Sequence, residues 1–407
     1  MKREMTYCTR CVYPQIAVNL NIDSRGVCSS CRTFEKFEAM TPQIWAERRK
    51  ALDRIIDEHR SLKAANYDCV IPVSGGKDSY YQTHVMVSEY GLKPLLVTYH
   101  GNNYLPEGDF NRDRMRHAFD ADHIVMGPSV EVIKKLNRIG FRKMGDMNWH
   151  NHAGIMTFPI IAAVKFNIPL IFWGEVAWDI SGMFSAEDFV EFSARVRHEH
   201  QLRGFEWYDM LNDPKDRLTE KDLNWLKYPS DEEILSVGVR GLYIGNYFKW
   251  DPNDHAKMAQ EKYGWKAALQ PFDRTYRKIS NLDDRYENGV HDLLKFIKFG
   301  YGRASDHVSK DIRTGYLSRE KGIELVRQYD AVVSSDLKHW LNYVEMTEEE
   351  FWRVADSFRD PRVWSIKDGH WWKTNVWGGL SSYGPVHLST AQQKKFCERR
   401  LELSAAA

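Results

Sequence analysis

The sequence predicts an α/β fold: a doubly wound parallel sheet, preceded by a small four-cysteine unit and followed by a mainly helical C-terminal region. Three observations carry this prediction. Short apolar runs alternate with helical patterns between about 67 and 247, four of the six cysteines fall within the first 33 residues, and the pattern beyond about 285 is mainly helical.

The elements follow in order. Thr41-Pro42 supplies a capping hydroxyl and a proline at the first helical position, and Ile44, Leu52, Ile55, Ile56 and Leu62 fall roughly on one face of the helix it opens. Tyr67–Val73 is a short apolar run ending at glycines, the pattern of a buried strand. A helix is expected from Lys77 to about Tyr90, a second strand over Lys93–Tyr99, a helix over Phe110–Phe119 and a third strand over His123–Met126. Helices near 129–143 and 153–166 lead to a fourth strand, Pro169–Trp173, and Gly241–Tyr247 reads as a fifth. The stretch 178–238 is charged and aromatic, breaks the alternation and is expected to be an insertion. Thr347-Glu-Glu-Glu350 is a capping box opening a later helix. The expected organisation is a metal-stapled unit at 1–40, a linker helix at 41–66, the α/β domain at 67–284 and the helical region at 285–407.

Charge excludes one class of partner. Lys and Arg number 57 against 56 Asp and Glu, so the chain lacks the basic excess that duplex nucleic acid requires, and no nucleic-acid partner is expected. No apolar run approaches the roughly 18 residues of a membrane span, so no membrane insertion is expected. Met1-Lys2-Arg3-Glu4 is charged and lacks a leader's apolar core, so a cytoplasmic location is expected. In that compartment cysteines serve metal or thiol chemistry before disulfides.

Cys8-Thr-Arg-Cys11 and Cys28-Ser-Ser-Cys31 are two Cys-x-x-Cys knuckles separated by sixteen residues. That spacing can set four thiolates tetrahedrally around Zn²⁺ with no open position, a site that stabilises folding and does no chemistry. Gly26 suits a tight turn before the second knuckle. Cys69, inside the first strand, is expected to be buried and inert, and Cys397 an isolated thiol.

Ser74-Gly75-Gly76-Lys77-Asp78-Ser79 lies between the first strand and a helix. Glycines let the backbone approach a ligand, the next N–H groups belong to a helix N-terminus, and Ser74, Ser79 and Lys77 add hydroxyl donors and a cation. The result is an anion cradle, without the spacing of the Walker loop.

This loop resembles the Ser-Gly-Gly-x-Asp-Ser signature of the PP-loop ATP pyrophosphatases, which belong to the HUP-type adenine nucleotide hydrolase-like fold. The resemblance implies ATP binding, with the β- and γ-phosphates leaving as pyrophosphate and AMP passing to a substrate carbonyl oxygen. Gly174-Glu175-Val-Ala-Trp-Asp179 resembles the superfamily's second motif, and Asp78 and Asp179 are candidate Mg²⁺ contacts. An N-cap role for Asp179 is the alternative.

One branch with an N-terminal zinc unit comprises tRNA thiolases, which need further core cysteines; only Cys69 and Cys397 remain here. A fuller resemblance is to the N-acetyl sugar amidotransferases of bacterial surface-polysaccharide (lipopolysaccharide, O-antigen) synthesis. It spans nearly the whole chain: Tyr7-Cys8-Thr-Arg-Cys11-Val-Tyr-Pro14, the loop at 74–79, Trp173-Gly174-Glu175, Gly245-Asn-Tyr-Phe-Lys-Trp-Asp251, and Lys298-Phe-Gly-Tyr-Gly-Arg-Ala-Ser-Asp-His307. It implies an enzyme that adenylates the acetamido oxygen of a nucleotide-linked N-acetyl sugar and replaces that oxygen with ammonia. It also implies partner subunits, a glutaminase and a barrel similar to those of imidazole-glycerol-phosphate synthase, because no cysteine here is placed to serve as a glutaminase nucleophile.

Further candidates are softer. His150 and His152 form a His-x-His motif suited to substrate contact or packing more than to metal. Arg303, Asp306, His307, Lys310 and Arg313 are phosphate- and carboxylate-binding types, a substrate site or a solvated helix start. Trp371, Trp372 and Trp377 are read as packing before stacking on a sugar.

Overall fold

The computed structural model describes residues 5–61, 66–101, 104–174, 187–280, 282–283, 287–376 and 379–406. Five strands form one parallel sheet: β1 (Cys69–Pro72), β2 (Pro94–Tyr99), β3 (Asp122–Met126), β4 (Leu170–Trp173) and β5 (Arg240–Tyr243), in the order β3-β2-β1-β4-β5. Cys69 pairs with Pro94 across β1 and β2, and Leu170 with Arg240 across β4 and β5. The chain winds one way from β1 to β3 and the other way from β4 to β5. The carboxyl ends of β1 and β4 therefore flank the switch point, where doubly wound sheets bind ligands.

Both faces of the sheet are covered, as the continuous apolar strands require. Ile71, Leu96, Phe172 and Leu242 pack with Leu52 and Ile56 of helix Pro42–Ser61 and Met115 of helix Pro106–Phe119. Val70, Leu95, Val97 and Ile171 point the other way, onto Ile160 and Ala163 of helix Trp149–Lys165 and onto Phe34 and Phe37 of helix Ser29–Glu38. Alternation along a strand splits the core into two layers.

The expected helix at 77–90 is an α-helix over Lys77–His84 that runs into a π-turn at Val85–Glu89. Helix Trp149–Lys165 begins earlier than expected and so takes in His150 and His152. The described part of the insertion has short turns at Val196–Gln201, Trp207–Met210 and Asn224–Leu226, and a helix at Asp231–Val237. Its Leu202, Met210, Leu223 and Leu226 pack on Leu136, Ile139 and Trp149.

Beyond 287 helices dominate, with the Thr347 hydroxyl capping helix Glu348–Ser357 through the Glu350 N–H. One feature differs from the helical expectation. Trp364–Lys367, His370–Thr374 and Leu380–Pro385 form an antiparallel sheet, β6-β7-β8. Trp371 packs inside it against Trp364 and Phe396, which confirms packing for that tryptophan; Trp377 lies outside the described residues. Among the described residues, no helix is long and apolar enough to cross a membrane.

Candidate functional site

The loop from 74 to 79 leaves β1 at the switch point and enters helix Lys77–His84. Gly75 has φ +82°, and a Cβ placed there would lie 2.5 Å from the Arg112 backbone nitrogen. Only glycine fits both the dihedral and the space. The loop is held from all sides. Trp265 Nε1 donates to the Gly75 carbonyl (2.9 Å), the Ser74 N–H donates to Ser79 Oγ (3.0 Å), and the Gly76 N–H donates to Ser74 Oγ (3.3 Å).

Lys77 is 8% exposed, with Nζ 2.7 Å from Asp78 Oδ2. His255 Nδ1, from helix Pro252–Tyr263, lies 2.8 Å from Asp78 Oδ1. Burial pushes the Asp78 carboxyl up, but the Lys77 charge and the His255 hydrogen bond outweigh it and hold the group well below the usual carboxylate range. Asp283 adds a second carboxylate. Burial raises its pKa against a hydrogen bond from Ser74 and the charges of Lys77 and Arg303.

β4 is pressed against the same helix. A Cβ on Gly174 would lie 2.6 Å from Gln82 Oε1 and 3.1 Å from the Trp250 ring, and Gln82 Nε2 donates to the Pro72 carbonyl at 2.5 Å. Gly174 thus abuts the helix that follows the loop; Glu175 and Asp179 lie outside the described residues.

His150 is fully buried, with Nδ1 2.9 Å from the Tyr99 hydroxyl and Nε2 3.1 Å from Glu287 Oε1. Its neighbour His152 turns to a different group, beside Asp146 and His291. The two histidines of the motif therefore serve separate clusters.

The 298–307 block is knit into the protein. Arg303 pairs with Asp292 (2.9 Å), Asp306 accepts from the Tyr13 hydroxyl (3.0 Å) and pairs with Lys295, and His307 Nδ1 lies 2.6 Å from Thr275 Oγ1. Burial and the Arg277 and Arg303 charges hold the His307 pKa well below its ordinary value. Arg313 lies over the Tyr13 ring and lines a small cleft with Trp250, Asp251 and Lys310. Of the four, Arg303 acts electrostatically on Asp283.

Cys8, Cys11, Cys28 and Cys31 are all buried, and their sulfurs lie within 4.8 Å of one another. Cys28 caps helix Ser29–Glu38, whose N-terminus favours thiolate, and the Cys11 and Cys28 N–H groups point at Cys8 Sγ (3.5 and 3.3 Å). Hydrogen bonds from the other three thiols hold the Cys8 thiol lowest. This donor set fits Zn²⁺. Gly26, at φ +78°, makes the expected turn. The unit is clamped from the far end of the chain: Arg319 donates to the Cys11 carbonyl (3.0 Å) and the Cys8 carbonyl (3.3 Å), and Tyr301 accepts from the Val18 N–H (3.2 Å). Cys69 is buried with its thiol pKa pushed well up by burial, and Cys397 is exposed, as expected.

Sequence reasoning missed His255, Asp283, Glu287 and Asp146. His255, Asp283 and Glu287 lie far along the chain from the motif each serves, whereas Asp146 stands six residues before His152. Only His255 carried a local signal, the Asp251-Pro252 helix start that fixes its place in the first turn.

Residues 274–376 match the family model described as "LPS biosynthesis protein WbpG-like, C-terminal domain". No curated protein matches the chain. Among solved structures, the chain is similar in part to the NMN synthetase of Francisella tularensis, at 14% identity and a TM-score of 0.28, covering 57% of this chain and 99% of that one. The matched segment contains Tyr301 and Arg319, which hold the four-cysteine unit, and Arg303, whose charge acts on Asp283.

Proposed function

We propose that the chain is an ATP-dependent, AMP-forming amidotransferase of lipopolysaccharide synthesis. The observation that carries the ATP reading is the loop. A glycine that tolerates no Cβ, a buried Lys77 and a helix N-terminus meet at the sheet's switch point, a cradle for a pyrophosphate leaving group. The WbpG-like match supports the lipopolysaccharide setting.

In this reading the acetamido oxygen of a nucleotide-linked N-acetyl sugar attacks the α-phosphorus of ATP, and pyrophosphate departs. Ammonia adds to the activated carbon, a proton is lost, and AMP leaves with the former amide oxygen, giving an acetamidino sugar. Lys77 and the loop N–H groups hold the departing phosphates. Mg²⁺, held by Asp78 and Asp179, neutralises their charge when bound. Asp283, with its raised pKa, stands where a proton can be held beside Ser74. Zn²⁺ at the cysteine quartet is structural. Ammonia is supplied by separate glutaminase and barrel subunits, and no nucleic acid takes part.

The test is direct. The protein is incubated with ATP, Mg²⁺, high ammonium and a UDP- or CMP-linked N-acetyl sugar. AMP should appear with a sugar about one mass unit lighter, the difference between an oxygen and an NH group. No AMP with any such sugar, together with thiolated tRNA when a sulfur donor is present, would replace this reading with the thiolase one.

A further inference from the structure

The cluster around His152 is not used by the proposed reaction. Asp146, His152 and His291 each place one ligand-type atom within 4.8 Å of the others. His152 is the last residue of the His-x-His motif in helix Trp149–Lys165, Asp146 precedes that helix, and His291 comes from helix Asn288–Phe299. Two stretches of chain, 146–152 and helix Asn288–Phe299, thus converge on one point. His152 Nε2 is buried and has no hydrogen-bond partner among the described residues.

The surroundings have the form of a metal site's outer layer. His291 turns Nδ1 toward Asp292 Oδ1 at 3.4 Å, the carboxylate that orients a ligating imidazole, and Asp292 is fixed in turn by Arg303. Asp146 accepts the Asn148 N–H (3.0 Å) and pairs with Arg203, which fixes its carboxylate plane.

We propose that Asp146, His152 and His291 bind one divalent ion of the Zn²⁺ class, separate from the cysteine quartet. Two imidazoles and one carboxylate suit a borderline dication and do not suit Mg²⁺, which takes oxygen ligands. Three protein ligands leave a position open for water or a substrate oxygen, whereas the quartet leaves none. The site is coupled to the phosphate loop through Asp292 and Arg303, which acts electrostatically on Asp283. The proposal does not depend on which reaction the loop serves.

The full-length protein, with its quartet already filled by Zn²⁺, is titrated with Co²⁺ and followed by visible absorption. One further equivalent is expected, with weak bands of nitrogen and oxygen ligation and no thiolate charge-transfer band. His152→Ala and His291→Ala should each abolish that equivalent. Asp292→Asn should weaken it by about 10- to 100-fold in the folded protein while the quartet keeps its zinc. Arg203 and Lys298 border the cluster, so inorganic phosphate is titrated in parallel. No second equivalent in the wild type, an unchanged affinity in the His152→Ala–His291→Ala double variant, or phosphate binding at these residues in place of metal would each overturn the proposal.

Discussion

His255 Nδ1 lies 2.8 Å from Asp78 Oδ1, with its ring stacked on Tyr81 at a centroid separation of 3.8 Å. Trp250 closes the other side edge-on at 4.5 Å. The imidazole is thereby fixed, and it fixes the Asp78 carboxylate beside Lys77. His255 is a positioning residue, so His255→Ala should lower kcat for AMP formation by about 10- to 100-fold and raise the Mg²⁺ concentration needed for half-maximal rate, with a smaller change in KM for ATP. His255→Asn, whose amide nitrogen can take the place of Nδ1, should recover part of the rate. A steady-state series across Mg²⁺ concentrations checks this; an unchanged Mg²⁺ dependence in the alanine variant would leave His255 a packing residue.

Lys77 sits 8% exposed at the start of its helix, a buried cation paired with its sequence neighbour Asp78. Lys77→Ala should lower AMP formation by about 10²- to 10³-fold, the cost of removing one preorganised charge from a developing anion. The melting temperature should fall as well, because the Asp78 carboxylate loses the cation that keeps it ionised, so rates are compared at a temperature where both proteins are folded. Activity retained in this variant would remove the loop from the chemistry.

Gly75→Ala tests the cradle through the backbone. The substitution forces an L-residue to φ +82° and drives its Cβ to within 2.5 Å of the Arg112 nitrogen. The left-handed conformation alone costs about 1–2 kcal/mol, and the clash adds to it by shifting the loop from Arg112. Urea unfolding should report a loss of stability of that order or more, and ATP binding by calorimetry should weaken with it. Gly91→Ala is the control, since its positive φ comes with open space around the Cβ.

The sheet and the cysteine quartet were legible because their information is local: a strand is a run of apolar residues, and a knuckle is a spacing. The cluster partners were not, because Asp283, Glu287 and His291 meet the loop and the His-x-His motif only after the chain has folded. The small sheet at 364–385 was legible and passed over. Asp368 and Gly369, at φ +51° and +72°, make the two-residue turn that an Asp-Gly pair signals, and the flanking tryptophans alternate across it. Arg303, Asp306 and His307 contact Asp292, Tyr13 and Thr275, partners that local sequence could not supply because two of the three lie more than 30 residues away.

The cysteine unit joins the two ends of the chain through Arg319, Tyr301 and Tyr13. Cys8→Ser should therefore release the quartet's zinc and also loosen the C-terminal region. Arg319→Ala should keep the zinc and lower stability by about 1–3 kcal/mol, the value of charged hydrogen bonds to buried carbonyls. Metal analysis and hydrogen exchange at 301–319 separate the two. If exchange there is the same in Cys8→Ser as in the wild type, the unit is an appendage and not a brace.

Lys373 offers a pH-dependent test of the C-terminal sheet. It is 4% exposed, with Nζ 5.7 Å from the Phe296 ring centroid and 5.5 Å from that of Tyr383. Burial lowers its pKa to about 8, against the Asp330 charge, which acts in the opposite direction. The folded chain thus holds this proton less tightly than the unfolded chain does. Between pH 8 and the ordinary lysine range the unfolded state binds more protons, so stability rises with pH there, and below pH 8 the full penalty persists. Lys373→Met keeps the volume and removes the charge. It should raise stability at pH 7 by up to ~3 kcal/mol, and the gain should shrink as pH climbs toward 10. Urea unfolding of both proteins across that range reads the difference directly, because every other titrating group is common to the two. Parallel profiles would mean that Lys373 reaches water in the folded protein.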